Sequence, residues 1–123
     1  GEIAGYAIFT SENFKFSIEY PETWYYSGLP TNEDGKRPYE FGPGLVDDEP
    51  ALITLLIGTG SEPEGTIVEM NGKSLIVVEE GSNTNVYYMG ETTGRLFHLS
   101  GLSDYEDVLL NMASSIDDQE AAA

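Results

Sequence analysis

The sequence predicts an α+β fold, an antiparallel β-sheet of six to seven strands with a C-terminal amphipathic helix packed on one face. Three observations predict it. Short runs of alternating or continuous apolar residues recur from Tyr6 to Ser100, with hairpin-type turn residues between them. A single segment, Tyr105 to Ile116, repeats its apolar residues at helical spacing. The strands are not interleaved with helices, as they would be in a doubly wound parallel sheet.

The first strands come from "YAIFTSENFKFSIEY", where "SEN" supplies the turn. In the second strand Phe14, Phe16, Ile18 and Tyr20 share one face, expected to be core. Lys15, Ser17 and Glu19 share the other, expected to be wet. Pro21 removes a ladder donor and ends the strand, leaving room for one helical turn at "PETW". From Ser27 to Pro50 glycine and proline punctuate an irregular stretch, although "RPYEF" has the makings of a short edge strand. A loop of that length inside a compact domain is often functional, so it is the first place to look for a site.

Ala51 to Ile57, "ALITLLI", is almost continuously apolar and reads as a central strand covered on both faces. "TIVEM" and "KSLIVV" flank Asn71-Gly72, the pair that a type I′ hairpin requires because both positions take positive φ. "NVYYM" and "RLFHLS" bracket "GETTG" as a further hairpin. In the closing helix Tyr105, Val108, Leu109, Met112, Ala113 and Ile116 form one stripe. Ser103 with Glu106 has the form of a capping box. Residues 1–116 are expected to be one domain, with 117–123, "DDQEAAA", a frayed or vector-derived tail.

At 123 residues the chain is long enough to bury a substantial core without a staple. Having no cysteine, it has no disulfide framework, thiolate metal ligand or cysteine nucleophile. Its 22 acidic against 5 basic residues, a net charge of −17, argue against nucleic acid and anionic lipid as partners, since both need clustered Lys and Arg. No apolar run is long enough to span a bilayer. The chain begins at Gly1 rather than Met, which leaves an export signal or lipid anchor upstream as an expectation.

The order "FKFSIEYPETW", an apolar strand, an "NGK" hairpin, "GRLFHLS" and a closing "YEDVLLNMASSI" helix resembles the PsbP-like (Mog1/PsbP) family across Tyr6 to Ile116. Many members carry a helix after the first long central strand. Here "GTGSEPEG" is too short and too rich in glycine and proline for one, which implies a short variant. The resemblance implies a secreted or lipid-anchored accessory domain, monomeric, without a cofactor and without enzymatic activity. Members with known roles serve photosystem II or adapt a small GTPase in nuclear import. No binding motif of either stands in this sequence, and fold alone does not carry function.

Individual residues support few chemistries. Trp24, the sole tryptophan, reads as a core plug, with one of its neighbouring tyrosines outside. Tyr25, Tyr26, Tyr39 and Tyr87 are the candidate partner-binding residues, against the plainer reading of cross-strand pairs. His98, the sole histidine, alternates to the face opposite Phe97 and Leu99 and reads as a solvent-facing or hydrogen-bonded strand residue. Asp34 in "NEDG" and Asp47, Asp48 and Glu49 in "VDDEP" offer oxygen ligands of the kind calcium takes, but neither group follows the EF-hand spacing. Solvated loop charge is their default reading. The leading expectation is therefore a non-catalytic extracytoplasmic accessory or protein-binding module, acting through its sheet face or the Ser27 to Pro50 loop. The alternatives are a calcium-binding protein and a hydrolase built on acidic residues.

Overall fold

A computed structural model describes residues 5–11, 15–27, 39–44, 52–58, 61–90 and 94–118. Among them are ten strands in two antiparallel sheets and one C-terminal helix, an α+β arrangement as expected. The small sheet has the order β1 (Tyr6–Ser11), β2 (Phe16–Pro21), β10 (Asp117–Asp118). The large sheet contains β3 (Tyr25–Ser27), β4 (Tyr39–Gly42), β5 (Ile53–Gly58), β6 (Thr66–Met70), β7 (Lys73–Glu80), β8 (Asn83–Met89) and β9 (Leu96–Leu102). Its spatial order is β3-β4-β5-β9-β8-β7-β6. A 3₁₀ turn, Ser103–Tyr105, leads into α1 (Glu106–Ser114).

Local chemistry explains the hairpins. Asn71 and Gly72 both adopt positive φ, 53° and 77°, and Met70 pairs with Lys73 across them, the geometry that joins β6 to β7 without splaying them. Gly94, at φ 73°, closes the β8–β9 connection, where Gly90 and Arg95 are hydrogen-bonded at 2.8 Å. Lys15 is left-handed at φ 56°, so β2 begins at Phe16; Phe14 lies outside the described residues.

The core forms where the small sheet and α1 together cover one face of the large sheet. Phe16 of β2 meets Tyr39 and Phe97 edge-on, each at 5.5 Å between ring centroids, and Tyr20 meets Phe41 at 5.8 Å. The helix stripe delivers Leu109, Met112 and Ala113 to the same interior, and Ile116 follows just beyond the helix. These residues are inside because the apolar faces of ribbon, helix and sheet have only one another to leave water with.

Several expectations are corrected. The strands form two sheets because the β1–β2 ribbon lies across the large sheet, burying Phe16 and Ile18, instead of joining its edge. "YEF" is an interior strand, since β3 pairs outside it. β5 is covered on one face only: Ile53 and Leu55 are buried but Leu56 is 37% exposed. Glu19 is buried on the supposedly wet side of β2, where its backbone N–H donates to Ser115 Oγ at the helix end at 2.8 Å. No capping box forms, because Ser103 is occupied in holding the helix to β8: its Oγ bonds Thr84 Oγ1 at 2.8 Å. "PETW" is a hydrogen-bonded turn, Trp24 N–H to Pro21 C=O at 2.9 Å, and not a helical turn.

Trp24 does not plug the centre. It is partly buried at the core margin, edge-on to Tyr105 at 5.8 Å, while Tyr25 and Tyr26 are both exposed. The expected tail begins as structure: Asp117 and Asp118 pair with Ser17 and Phe16, and the Asp118 carboxylate receives Arg95 at 2.6 Å. Residues 119–123 lie outside the described residues.

Candidate functional site

The face of the large sheet opposite the helix is the candidate site, and its pattern follows from strand register. Pairing sets Ile67, Ile76, Tyr87, His98 and Leu56 side by side across β6, β7, β8, β9 and β5. Their sequence neighbours Val77, Val86, Phe97, Leu99 and Leu55 point into the core, so alternation sends this row outward. Ile67 is 64% exposed, and Leu56, Tyr25 and Leu102 on the same side are also exposed. Glu40, Glu69 and Glu80 alternate to this face as well. Of the described basic residues, Lys73 faces the core side over the Tyr88 ring, Arg95 lies over Phe97, and Lys15 sits in the turn that leads into β2 of the small sheet. The face is thus an apolar row bordered by negative charge.

The centre of the row is fixed by a polar network. Tyr87 and His98 stack at 4.3 Å with an 11° interplanar angle. The Asn85 Nδ2 group donates to Val78 C=O and to Glu80 Oε1, both at 3.3 Å. Its Oδ1 therefore faces His98 Nε2 at 2.8 Å, which requires Nε2 to carry hydrogen and leaves Nδ1 as the basic nitrogen. Partial burial lowers the His98 pKa from 6.5, opposed by the nearby Glu80 charge, so the ring is neutral at pH 7. Burial and Glu80 both raise the Tyr87 pKa.

Linkage gives this a sign. A folded-state histidine pKa below the unfolded value means that the unfolded chain takes up the proton first as pH falls. Stability is complete above 6.5 and is lost below it, down through the folded pKa. Denaturant midpoints measured from about pH 8 to pH 5 should fall more steeply near pH 6 for the wild type than for His98→Gln, which keeps a donor for Asn85 but cannot titrate. Identical slopes would show that burial does not outweigh the Glu80 charge at His98.

Of the four candidate tyrosines, the structure places Tyr25 and Tyr87 on this face. Tyr26, 47% exposed, sits at the edge of the core side against Phe9, at 4.6 Å between ring centroids. Tyr39 is a correction: it is buried, its hydroxyl hydrogen-bonded to Ser11 Oγ at 2.9 Å, and it cannot meet a partner. Asp34, Asp47, Asp48 and Glu49, together with most of the Ser27 to Pro50 loop, lie outside the described residues. Among the described residues no group of three or more acidic, His or Cys side chains is placed to hold a metal ion. No described helix is long and apolar enough to cross a membrane. Sequence reasoning missed Ile67, Ile76 and Leu56, although a strand such as "TIVEM" with apolar residues at adjacent positions signals an apolar side chain on each face.

On the helix side, a cleft of about 570 Å³ opens between the small sheet, the helix end and the β6–β7 turn, with Glu19, Lys73, Ser114, Ser115 and Asp117 among its lining. Both serine hydroxyls donate to main-chain carbonyls, Ser114 to Asn111 at 3.0 Å and Ser115 to Met112 at 2.6 Å. The chain's one histidine is on the other face of the sheet, so neither serine has an imidazole base. No protein-family model matches the chain, and no curated protein matches it.

Proposed function

We propose that this chain is a non-catalytic protein-binding module, a short domain of Mog1/PsbP type that works outside the cytoplasm and docks its partner on the open face of the large sheet. The carrying observation is the row Ile67, Ile76, Tyr87, His98 and Leu56, a largely apolar strip across five strands that is exposed at Ile67 and Leu56 and half-buried between them, on a face that no described element covers. Apolar side chains left in contact with water on a highly charged chain mark an interaction site. Bordering glutamates select the partner: a protein surface with an apolar centre ringed by Lys or Arg. Tyr87, preorganised by its stack on His98, is the natural anchor.

The test is quantitative binding to a purified partner, first recovered by affinity capture from the source organism. Tyr87→Ala and Leu56→Asp should each weaken binding by roughly 30-fold or more, the effect of a hot-spot residue. Ile8→Asp, on the exposed side of the small sheet, should leave affinity unchanged. Unchanged binding by the two face variants, both still folded, would refute the assignment.

A further inference from the structure

A separate surface lies at the free edge of β6. The Asn71-Gly72 turn closes on Met70 and Lys73, which in a type I′ hairpin form a hydrogen-bonded pair. Alternation along an antiparallel ladder makes Val68 with Leu75 and Thr66 with Val77 the next such pairs. Ile67 and Glu69 therefore turn their N–H and C=O groups away from β7, and β6 is the last strand of the sheet among the described residues. "TIVEM" contains no proline or lysine and pairs in unbroken register, so apart from its shortness and the charge of Glu69 the usual devices that blunt an exposed edge are missing from the strand.

Beside this edge, on the helix side, is a cavity of about 280 Å³ lined by Thr66, Val68, Val77, Glu79 and Glu106. Two valines give it a hydrocarbon wall, and two carboxylates, one from β7 and one from the first turn of α1, give it negative charge. Exposed Glu62 and Glu64 add further negative charge just before the strand. A lysine or arginine side chain matches both features, with its stem on the valines and its cation at the glutamates. A second copy of β6 would bring no basic residue to this place, which disfavours self-pairing.

We infer that the β6 edge accepts an extended basic peptide segment as an added strand, with one Lys or Arg seated between Val68, Val77, Glu79 and Glu106. Main-chain bonds to Ile67 and Glu69 supply the pairing and the cavity supplies the selectivity. Neighbouring peptide residues alternate to the other side, where Ile67 is exposed. The inference does not depend on the open face being a docking surface.

Synthetic peptides of about seven residues, alternating Thr and Val around a central Lys, norleucine or Glu, test it by calorimetry at low salt. The Lys peptide should bind about tenfold more tightly than the norleucine peptide, and the Glu peptide should not bind. The double variant Glu79→Gln/Glu106→Gln should reduce the Lys peptide to the norleucine level. Glu69→Pro should abolish binding while Glu69→Ala retains it, because the lost N–H points out of the sheet. Tyr87→Ala should leave peptide affinity unchanged, which separates this edge from the open face. Peptides N-methylated at the edge-facing amides should fail against the wild-type chain, a control that perturbs no protein fold. Equal affinity for all three peptides, binding that survives N-methylation, or no binding at about 1 mM would overturn the inference.

Discussion

Arg95→Met is expected to destabilise the fold by about 3 kcal/mol, read as a lower denaturant midpoint. Arg95 Nη2 meets Asp118 Oδ1 at 2.6 Å, with the two side chains 20% and 2% exposed, and also donates to Lys15 C=O at 3.2 Å. The arginine thus ties the β8–β9 connection to both strands of the β2–β10 pairing at its Phe16/Asp118 end. Removing it leaves the Asp118 carboxylate, 2% exposed and packed against Gly90 so closely that a Cβ there would collide with it, without its arginine. The double variant Arg95→Met/Asp118→Leu should recover much of the loss, because the dominant cost is a buried carboxylate deprived of its arginine and not the missing attraction. A single variant as stable as the wild type would mean that the pair is solvated.

Phe16→Ala is expected to cost about 3–5 kcal/mol, the range for truncating a fully buried phenylalanine. The ring is fully buried and contacts Phe9 at 6.3 Å, Tyr39 at 5.5 Å and Phe97 at 5.5 Å, so it joins the two sheets at one point. The cavity would be walled by rings held on separate strands, which cannot all collapse into it. Thermal unfolding should remain cooperative at a lower midpoint. A loss below about 1 kcal/mol would indicate that the small sheet is only loosely seated.

The parts of the fold governed by local chemistry were legible in the sequence. Asn71-Gly72 has one low-strain conformation, and the stripe from Tyr105 to Ile116 has one core-facing side as expected, although the α-helix itself spans only Glu106–Ser114. Other features depended on tertiary competition. Ser103 had the spacing of a cap, but Thr84 on β8 bonds its hydroxyl. "ALITLLI" signalled burial on both faces, yet Leu56 lies in an open row whose other members come from four other strands. No local pattern specifies that β9 falls between β5 and β8, and without that order His98 cannot be placed beside Tyr87 and Leu56. The same ordering hid the site. Asn85 and Glu80 are unremarkable in sequence and become a network only through register across the β7–β8 hairpin.

Solvent footprinting of the chain, alone and saturated with its purified partner, tests the open-face assignment most directly. Hydroxyl-radical labelling at Leu56, Ile67, Tyr87 and His98 should proceed in the free protein and fall sharply in the complex, while Ile8 and Tyr26 on the opposite side keep their labelling. Protection confined to Ile8 and Tyr26, with the row still reactive in the complex, would contradict it.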